Sequence, residues 1–224
     1  MAFPEVITID GPAGAGKSTL GEHLARELGY LYLDTGIMYR AQALAALRRG
    51  VDLHDVDAAI RLAESLDLRV VPPTVSDGRQ YTVLLGGEDV TWDLRRPEVE
   101  RIVSLAARPT PVREIMRARQ RAIGDQGRVV MVGRDIGSIV MPQAPVKIFL
   151  DASVDERARR RVAELRARGA AIEDGQIREE IARRDGLDRH VMEPAPDAIV
   201  IVSDGLSPDE VVSIVMAQIQ ERAT

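Results

Sequence analysis

The sequence of 224 residues has no cysteine and no asparagine, and aromatic residues make up only 3% of it. Without cysteine, the chain cannot form disulfide bonds, thiolate metal sites or cysteine nucleophiles. With so few aromatic side chains, the hydrophobic 45% of the sequence has to build a core from Ala, Val, Leu and Ile. No hydrophobic run approaches the roughly 20 residues that span a bilayer, and the first residues do not resemble a secretory signal. We therefore expect a soluble, cytoplasmic protein without a membrane partner.

Lysine is also scarce, since Lys17 and Lys147 are the only two in the chain. The net charge is −5, and the other basic residues, apart from three histidines, are arginines. A general nucleic-acid binder needs a surplus of positive charge, which this chain lacks. Arginine forms paired hydrogen bonds with phosphate groups. The composition thus favours small anionic substrates over a nucleic-acid partner.

Residues 11–18, with the sequence GPAGAGKS, match the phosphate-binding loop pattern G-x-x-x-x-G-K-[ST]. A β-branched run at 6–9 predicts a strand before this loop, and the pattern from Thr19 to Leu28 predicts a helix after it that ends at Gly29. This strand–loop–helix order is the context that the motif requires. A dinucleotide-binding loop fits less well, because its glycine spacing differs.

The loop predicts binding of a nucleoside triphosphate, with Mg²⁺ as the accompanying ion. Its backbone N–H groups would surround phosphate oxygens, Lys17 would reach the terminal phosphates, and Ser18 would hold the metal. The residues expected to bind ATP are Gly11, Pro12, Ala13, Gly14, Ala15, Gly16, Lys17, Ser18 and Thr19.

Short apolar strand patterns alternate with helical patterns along the rest of the chain. Strands are predicted at 30–33, 128–132, 146–150 and 198–202, the last of them as a buried strand. Alternation of this kind predicts an α/β fold with a parallel, doubly wound sheet flanked by helices. Between residues 67 and 96, three short strands separated by Pro and Gly predict a small antiparallel insertion. That insertion could be a lid, a specificity module or a packing element.

Polar residues follow two of the predicted strands. Thr35, Tyr39 and Arg40 come after the second strand, and Arg134 and Asp135 come after the strand at 128–132. Ligands of open α/β sheets bind at the carboxyl ends of the strands, so these side chains are placed to meet a substrate. An arginine there could bind phosphate, and an aspartate could read donors on a base or sugar. The pair could instead be an ion pair that closes a turn.

Three arginines, Arg157, Arg160 and Arg161, share one face of the helix predicted from 155 to 168. They could close over ATP and neutralise charge during phosphoryl transfer. Alternatively, they could form a solvated surface of the helix.

A phosphate-binding loop by itself does not separate switches, motors and kinases. Without asparagine, the chain lacks the Asn-Lys-x-Asp motif with which GTPase switches read the base, and the strand that ends at Val132 lacks the acidic end typical of motors. These absences favour a small phosphoryl-transfer enzyme with a second anionic substrate.

Several motifs in this order resemble the bacterial cytidylate kinase family over essentially the whole chain. The stretches 133–137 (GRDIG) and 147–153 (KIFLDAS) are the most specific. The others are 7–18, 33–36 with Tyr39 and Arg40, residues 86 and 88–90, residues 144–146, Arg184 with Asp185, and Asp188. Two positions depart from the family pattern, which often has an acidic residue where Val132 stands and an arginine where Val191 stands.

The resemblance implies a transferase of pyrimidine metabolism that moves the γ-phosphoryl group of ATP to CMP or dCMP, with Mg²⁺, as a monomer. It implies one kinase domain over 1–224, with a core at 1–34, 128–152 and 197–224, a monophosphate-binding region at 35–122 and a helical lid at 153–190. The implied substrate-binding residues, together with Tyr39, are Thr35, Arg40 and Arg134 for the acceptor phosphate, Ser104, Arg113 and Asp135 for cytosine, and Arg184 and Asp188 for the sugar. The expected catalytic residues are Lys17, Arg134, Arg157, Arg160 and Arg161.

Two alternatives remain open at this point. One is a related phosphate-loop kinase for UMP, shikimate or dephospho-coenzyme A, although Ser104, Arg113 and Asp135 suit a cytosine edge better. The other is a nucleotide-binding regulatory module with little turnover. Release of ADP in the presence of an acceptor would separate an enzyme from such a module.

Overall fold

The computed structural model describes residues 3–167, 174–188 and 192–222. Its chain forms two compact units, one made of Met1–Tyr30 with Val130–Thr224 and the other of Leu31–Val129. We call the first the phosphate-loop unit and the second the inserted unit.

The strands and helices of the described residues are numbered in chain order. The strands are β1 Val6–Asp10, β2 Leu31–Asp34, β3 Leu68–Val71, β4 Thr82–Leu85, β5 Glu88–Asp89, β6 Val129–Val132, β7 Val146–Asp151 and β8 Ile199–Val202. The helices are α1 Lys17–Leu28, α2 Gly36–Arg49, α3 Val56–Glu64, α4 Pro97–Ala106, α5 Thr110–Gly124, α6 Val154–Ala167, α7 Asp174–Asp188 and α8 Pro208–Arg222. A short 3₁₀ turn spans Asp93–Arg95, and a π-helical turn spans Ile136–Val140.

The main sheet has five strands in the order β2-β6-β1-β7-β8. Strands β1, β7 and β8 pair in parallel, which places Ile9 opposite Ile148 and Leu150 opposite Ile201. Every residue of β1 and β6 is buried, as continuous apolar runs in the middle of a parallel sheet require. The predicted α/β fold with a phosphate loop after its first strand is confirmed.

Strand β8 differs from the prediction of a buried strand. It lies at the edge of the sheet, and Val200 and Val202 are 56% and 60% exposed while Ile201 is buried. An edge strand has a neighbour on one side only, so an apolar run does not ensure burial of both its faces.

The inserted unit contains the predicted antiparallel sheet, in the order β3-β4-β5. Leu68 pairs with Leu85, and Leu85 also pairs with Glu88, so β5 begins one residue earlier than the predicted third strand. Arg79 pairs with Asp77 and Asp89, and this link ties the loop between β3 and β4 to β5. Within the same unit, α2 packs against α4 and α3 packs against α5.

The last helix, α8, begins at the residues that the sequence indicated. Ser207 Oγ accepts a hydrogen bond from Glu210 N at 3.3 Å, and Glu210 Oε2 accepts one from Ser207 N at 2.8 Å. This reciprocal pair satisfies two backbone donors at the helix start. Val215 and Ile219 bury the inner face of the helix. Within residues 3–167, 174–188 and 192–222, no helix combines the length and apolar character needed to cross a bilayer.

Candidate active site

The phosphate-binding loop joins β1 to α1. Helix α1 begins at Lys17, two residues earlier than predicted, and ends at Gly29, whose N–H bonds to the carbonyls of Ala25 and Arg26. Gly11 has φ +138°, and a Cβ placed there would lie 2.0 Å from Leu150 O of β7. The loop can therefore pass this close to the neighbouring strand only with glycine at its first position.

The loop lies beside two sources of positive charge, the Lys17 side chain and the start of α1. Lys17 Nζ donates a hydrogen bond to Pro12 O at 2.7 Å, so the ammonium group lies over the loop. The first turn of α1 carries no acidic residue, which leaves the positive end of the helix dipole uncompensated by its own side chains. A helix start of this kind, after a glycine-rich loop, is suited to bind phosphate.

Two arginines of α6 donate hydrogen bonds to backbone carbonyls of the loop. Arg157 is 3% exposed, and its Nη1 donates to Ala13 O at 3.2 Å while its Nε donates to Ala152 O at 2.9 Å. The same guanidinium forms a two-bond pair with Asp185 of α7, at 2.9 and 2.5 Å. Arg157 thus links the phosphate loop to both helices of the segment predicted as a lid.

Arg160 contacts the loop one turn further along. Its Nη1 donates to Ala15 O at 3.2 Å and to Ser203 Oγ at 3.0 Å, and its Nη2 donates to Ser203 O at 2.6 Å. Arg161, in contrast, pairs with Glu164 at 2.7 Å and has 47% of its side chain exposed. Of the three arginines expected over ATP, two contact the loop backbone and one lies at the surface. Sequence reasoning gave no role to Asp185 or Ser203, since neither lies within the helix that carries these arginines.

The segment after β6 carries Arg134 and Asp135. It begins with Gly133, whose N–H donates to Ile9 O at 3.0 Å, so it continues beside the end of β1. Asp135 is 8% exposed, and its carbonyl accepts bonds from Ile139 N and Val140 N in the π-helical turn.

Asp10, the last residue of β1, contacts this segment directly. Its carboxylate accepts hydrogen bonds from Ile136 N at 2.8 Å and from Gly137 N at 2.7 Å. Burial raises the pKa of Asp10 to about 6, although both N–H donors and the charge of Lys17 lower it, and the charge of Asp135 raises it further. Sequence reasoning named Asp10 only as part of a motif and assigned it no role.

In the inserted unit, Arg40 of α2 lies in a charged cluster with Asp34, the last residue of β2, and Glu100 of α4. Arg40 Nε donates to Glu100 Oε1 at 2.7 Å, and Asp34 Oδ1 accepts a bond from Gly36 N at 2.9 Å. Burial alone would lower the pKa of Arg40, but the hydrogen bond to Glu100 and the charge of Asp34 leave it raised. Tyr81 belongs to the same cluster, because burial and then the charge of Asp34 raise its pKa to about 12. Because its pKa is raised, the guanidinium of Arg40 is charged at neutral pH.

The remaining predicted residues occupy the elements where the sequence placed them. Thr35 is buried at the start of α2, and Tyr39 follows on that helix. Ser104 lies exposed on α4, and Arg113 lies half-buried on α5. Arg184 and Asp188 belong to α7 by their backbone, but their side chains, like the whole of Arg168 and Val191, lie outside the described residues.

The family model for cytidylate kinase matches residues 7–221. The chain belongs to the cytidylate kinase family. The cytidylate kinase of Roseiflexus castenholzii is 62% identical over 223 residues, which are 99% of this chain and 96% of that protein. The cytidylate kinase of Chloroflexus aggregans is 60% identical over 216 residues, which are 96% and 94% of the two chains.

A solved shikimate kinase from Bacteroides thetaiotaomicron superposes with a TM-score of 0.51 at 16% identity, covering 96% of this kinase and 98% of that chain. At this identity the likeness shows the shared fold alone, and it does not support shikimate as the acceptor of this kinase. The predicted family and enzyme class are confirmed, since the chain is an ATP-dependent nucleoside monophosphate kinase by its family.

The residues of this kinase would also fit a magnesium ion beside a bound nucleotide. Ser18, in the first turn of α1, offers a hydroxyl at the phosphate loop. Both carboxylate oxygens of Asp10 already accept backbone N–H groups. In the part of the chain that the structure describes, no group of three or more His, Cys, Asp or Glu could hold a metal. Mg²⁺ suits such a site, because it takes most of its ligands from water and substrate phosphates.

Proposed function

We propose that this kinase transfers the γ-phosphoryl group of ATP to CMP or dCMP and forms ADP with CDP or dCDP. The observation that carries the proposal is the phosphate loop, with Lys17 over it and Arg157 and Arg160 bound to its carbonyls. The named relatives support cytidylate as the acceptor, because their similarity extends over nearly the whole of both chains.

On the donor side, the loop N–H groups and the start of α1 would bind the phosphates of ATP. Lys17 would neutralise charge on the terminal phosphates as it spreads during transfer. Mg²⁺, held by Ser18 and the phosphate oxygens, would supply further neutralisation. Arg157 and Arg160 keep the loop carbonyls occupied on one side, which helps to direct the N–H groups of the loop toward phosphate.

On the acceptor side, we assign the phosphate of CMP to Thr35, Arg40 and Arg134, with Tyr39 beside them. Ser104, Arg113 and Asp135 would bind cytosine, and Arg184 and Asp188 would bind the sugar. The acceptor phosphate is already anionic, so one of its oxygens can attack the γ-phosphorus without a general base. The bond from that phosphorus to the bridging oxygen breaks, and ADP leaves with the electron pair. Catalysis would consist of positioning and charge neutralisation.

We assign the helices α6 and α7 to a lid over ATP, Arg161 to that lid, and residues 35–122 to acceptor binding. We further propose that the kinase acts as a monomer in the cytoplasm. All of its assigned residues belong to one chain, and both nucleotide substrates are cytoplasmic metabolites.

A panel of acceptors tests the proposed reaction. With ATP and Mg²⁺, steady-state release of ADP should be fastest with CMP and dCMP, by about tenfold or more in kcat/KM over UMP, AMP, GMP and shikimate. A preference for another acceptor would contradict the assignment of Ser104, Arg113 and Asp135. If ATP binds but no acceptor accelerates ADP release, the protein is a nucleotide-binding module and the proposed reaction is wrong.

The role of Asp135 makes a separate prediction. Asp135→Ala should raise the KM for CMP by about 30-fold, because a hydrogen bond from the base to a charged group is lost. The Kd for ATP should stay within about threefold of the wild type, since the loop residues that bind phosphate are unchanged.

Steady-state kinetics with CMP varied, together with ATP titration by calorimetry, would check this. Asp57→Ala removes an exposed carboxylate from α3 and serves as the control for loss of charge. Equal damage to CMP use and ATP binding in Asp135→Ala would exclude a role in reading the base.

A further inference from the structure

The carboxylate of Asp10 accepts hydrogen bonds from two consecutive backbone N–H groups, those of Ile136 and Gly137, at 2.8 and 2.7 Å. Asp10 is only 6% exposed, so this contact is buried. Hydrogen bonds from backbone N–H groups to a buried carboxylate are stronger than those between neutral groups. The two bonds therefore hold the segment that directly follows Arg134 and Asp135.

The packing around Gly137 shows how closely this segment is held. A Cβ at Gly137 would lie 2.7 Å from Thr8 Oγ1, 3.2 Å from Lys147 Cγ and 3.3 Å from Asp10 Oδ2. A larger residue would have to move the segment away from the carboxylate. Glycine at this position permits the approach that both hydrogen bonds need.

Ile136 and Gly137 also begin the π-helical turn, and hydrogen bonds within this turn hold the same segment. Val140 N donates to Asp135 O at 3.1 Å, and Met141 N donates to Ile136 O at 2.7 Å. The backbone of Asp135 and Ile136 is thus held both by the bonds within this turn and by the bonds of its first two residues to Asp10, and it cannot shift without breaking some of them.

Asp10 also directly precedes the phosphate loop, because Gly11 follows it in the chain. Its charge interacts with those of Lys17 and Asp135. The backbone of Asp10 is therefore joined directly to the loop that would bind ATP. Its carboxylate accepts two hydrogen bonds from the segment that would bind the acceptor.

We propose that Asp10 is a positioning residue. Its hydrogen bonds from Ile136 N and Gly137 N fix the position of Arg134 and Asp135 relative to the phosphate loop. The proposal rests on the roles assigned above to those two residues. We do not place Asp10 among the catalytic residues, because its two hydrogen bonds go to backbone N–H groups and not to a reacting group.

Asp10→Asn tests the proposal. Asparagine has nearly the same shape but offers one oxygen, and its amide would face the second N–H as another donor. We expect kcat with the best acceptor to fall about tenfold to a hundredfold, because small displacements of reacting groups have effects of that size. The KM for that acceptor should rise, and the Kd for ATP should stay within about threefold of the wild type.

A double-mutant cycle with Asp135→Ala separates positioning from a merely structural role. If Asp10 acts through the 133–137 segment, Asp10→Asn should affect acceptor KM much less in the Asp135→Ala background. Asp197→Asn is the matched control, because it weakens another carboxylate contact of the same unit, the pair of the exposed Asp197 with the buried Lys147 at 2.7 Å. That variant should lose stability and keep its kcat.

Three results would overturn the proposal. They are unchanged kinetics in folded Asp10→Asn, fully additive effects in the cycle, and parallel losses of ATP and acceptor binding. If Asp10→Asn does not fold, Gly137→Ala disturbs the same contact from its other partner and should give the same kinetic pattern. All assays use the acceptor that the wild type phosphorylates fastest, so a failure of the proposed CMP specificity would appear in the wild type alone.

Discussion

Lys17→Ala should lower kcat by about 1,000-fold while leaving the protein folded, because a positioned charge on the transferred phosphate contributes on that scale. The side chain of Lys17 is half-buried and lies over the loop, where it donates to Pro12 O rather than packing in the core. Loss of the ammonium group therefore removes charge from the phosphates with little effect on the free energy of unfolding. Single-turnover kinetics with saturating ATP, together with thermal unfolding followed by circular dichroism, would measure both quantities.

The chain supplies a matched control, since Lys147 is its only other lysine. Lys147 is 6% exposed in β7 and pairs with Asp197. Lys147→Ala should destabilise the fold and leave kcat per folded molecule unchanged. Unfolding of Lys17→Ala, or equal kinetic losses in the two variants, would contradict a specific role of Lys17 on phosphate.

Gly11→Ala should destabilise the fold more strongly than either lysine substitution. The new Cβ would lie 2.0 Å from Leu150 O, and the backbone φ of +138° is unfavourable for alanine. Because the obstacle is the carbonyl of a buried strand, it cannot move aside as a flexible side chain would. We expect a loss of roughly 3 kcal/mol or more, which lowers the melting temperature by about 10 °C in a chain of this size.

Gly78→Ala separates the effect of the collision from that of backbone strain. Gly78 has φ +87°, and apart from its chain neighbours no atom of the described residues lies within 4 Å of a Cβ placed there. Its substitution should cost only about 1 kcal/mol, the usual penalty for alanine at a positive φ. Equal melting temperatures for the two variants would show that the loop can move away from β7. ATP binding by any folded Gly11→Ala protein should be weakened as well, because the displaced loop begins at this residue.

The accuracy of the sequence-based predictions depended on how local each feature is. The phosphate loop, the end of α1 at Gly29 and the start of α8 at Ser207 were all correct. Each depends on residues a few positions apart, so the sequence pattern contains the whole interaction. The third strand of the insertion was predicted one residue late, because its start depends on the pairing of Glu88 with Leu85.

Burial of β8 was predicted wrongly for a related reason. An apolar run shows that a strand is suited to a sheet, but it does not show whether the strand has one neighbour or two. The order β2-β6-β1-β7-β8 places β8 at an edge, where Val200 and Val202 are exposed. That order results from long-range packing.

The sequence by itself determined the α/β class, the phosphate-loop motif and the family, and it supplied the prediction of which residues act on substrate. It could do so because these features are encoded by short motifs and by the alternation of strands and helices. Only the tertiary structure decided the partners of these residues. Arg157 meets Asp185 and Arg160 meets Ser203, whereas Arg161 lies at the surface. Asp10 meets the N–H of Ile136, 126 residues away in the chain. Such contacts exist only once the sheet has brought distant segments together, and no local pattern records them.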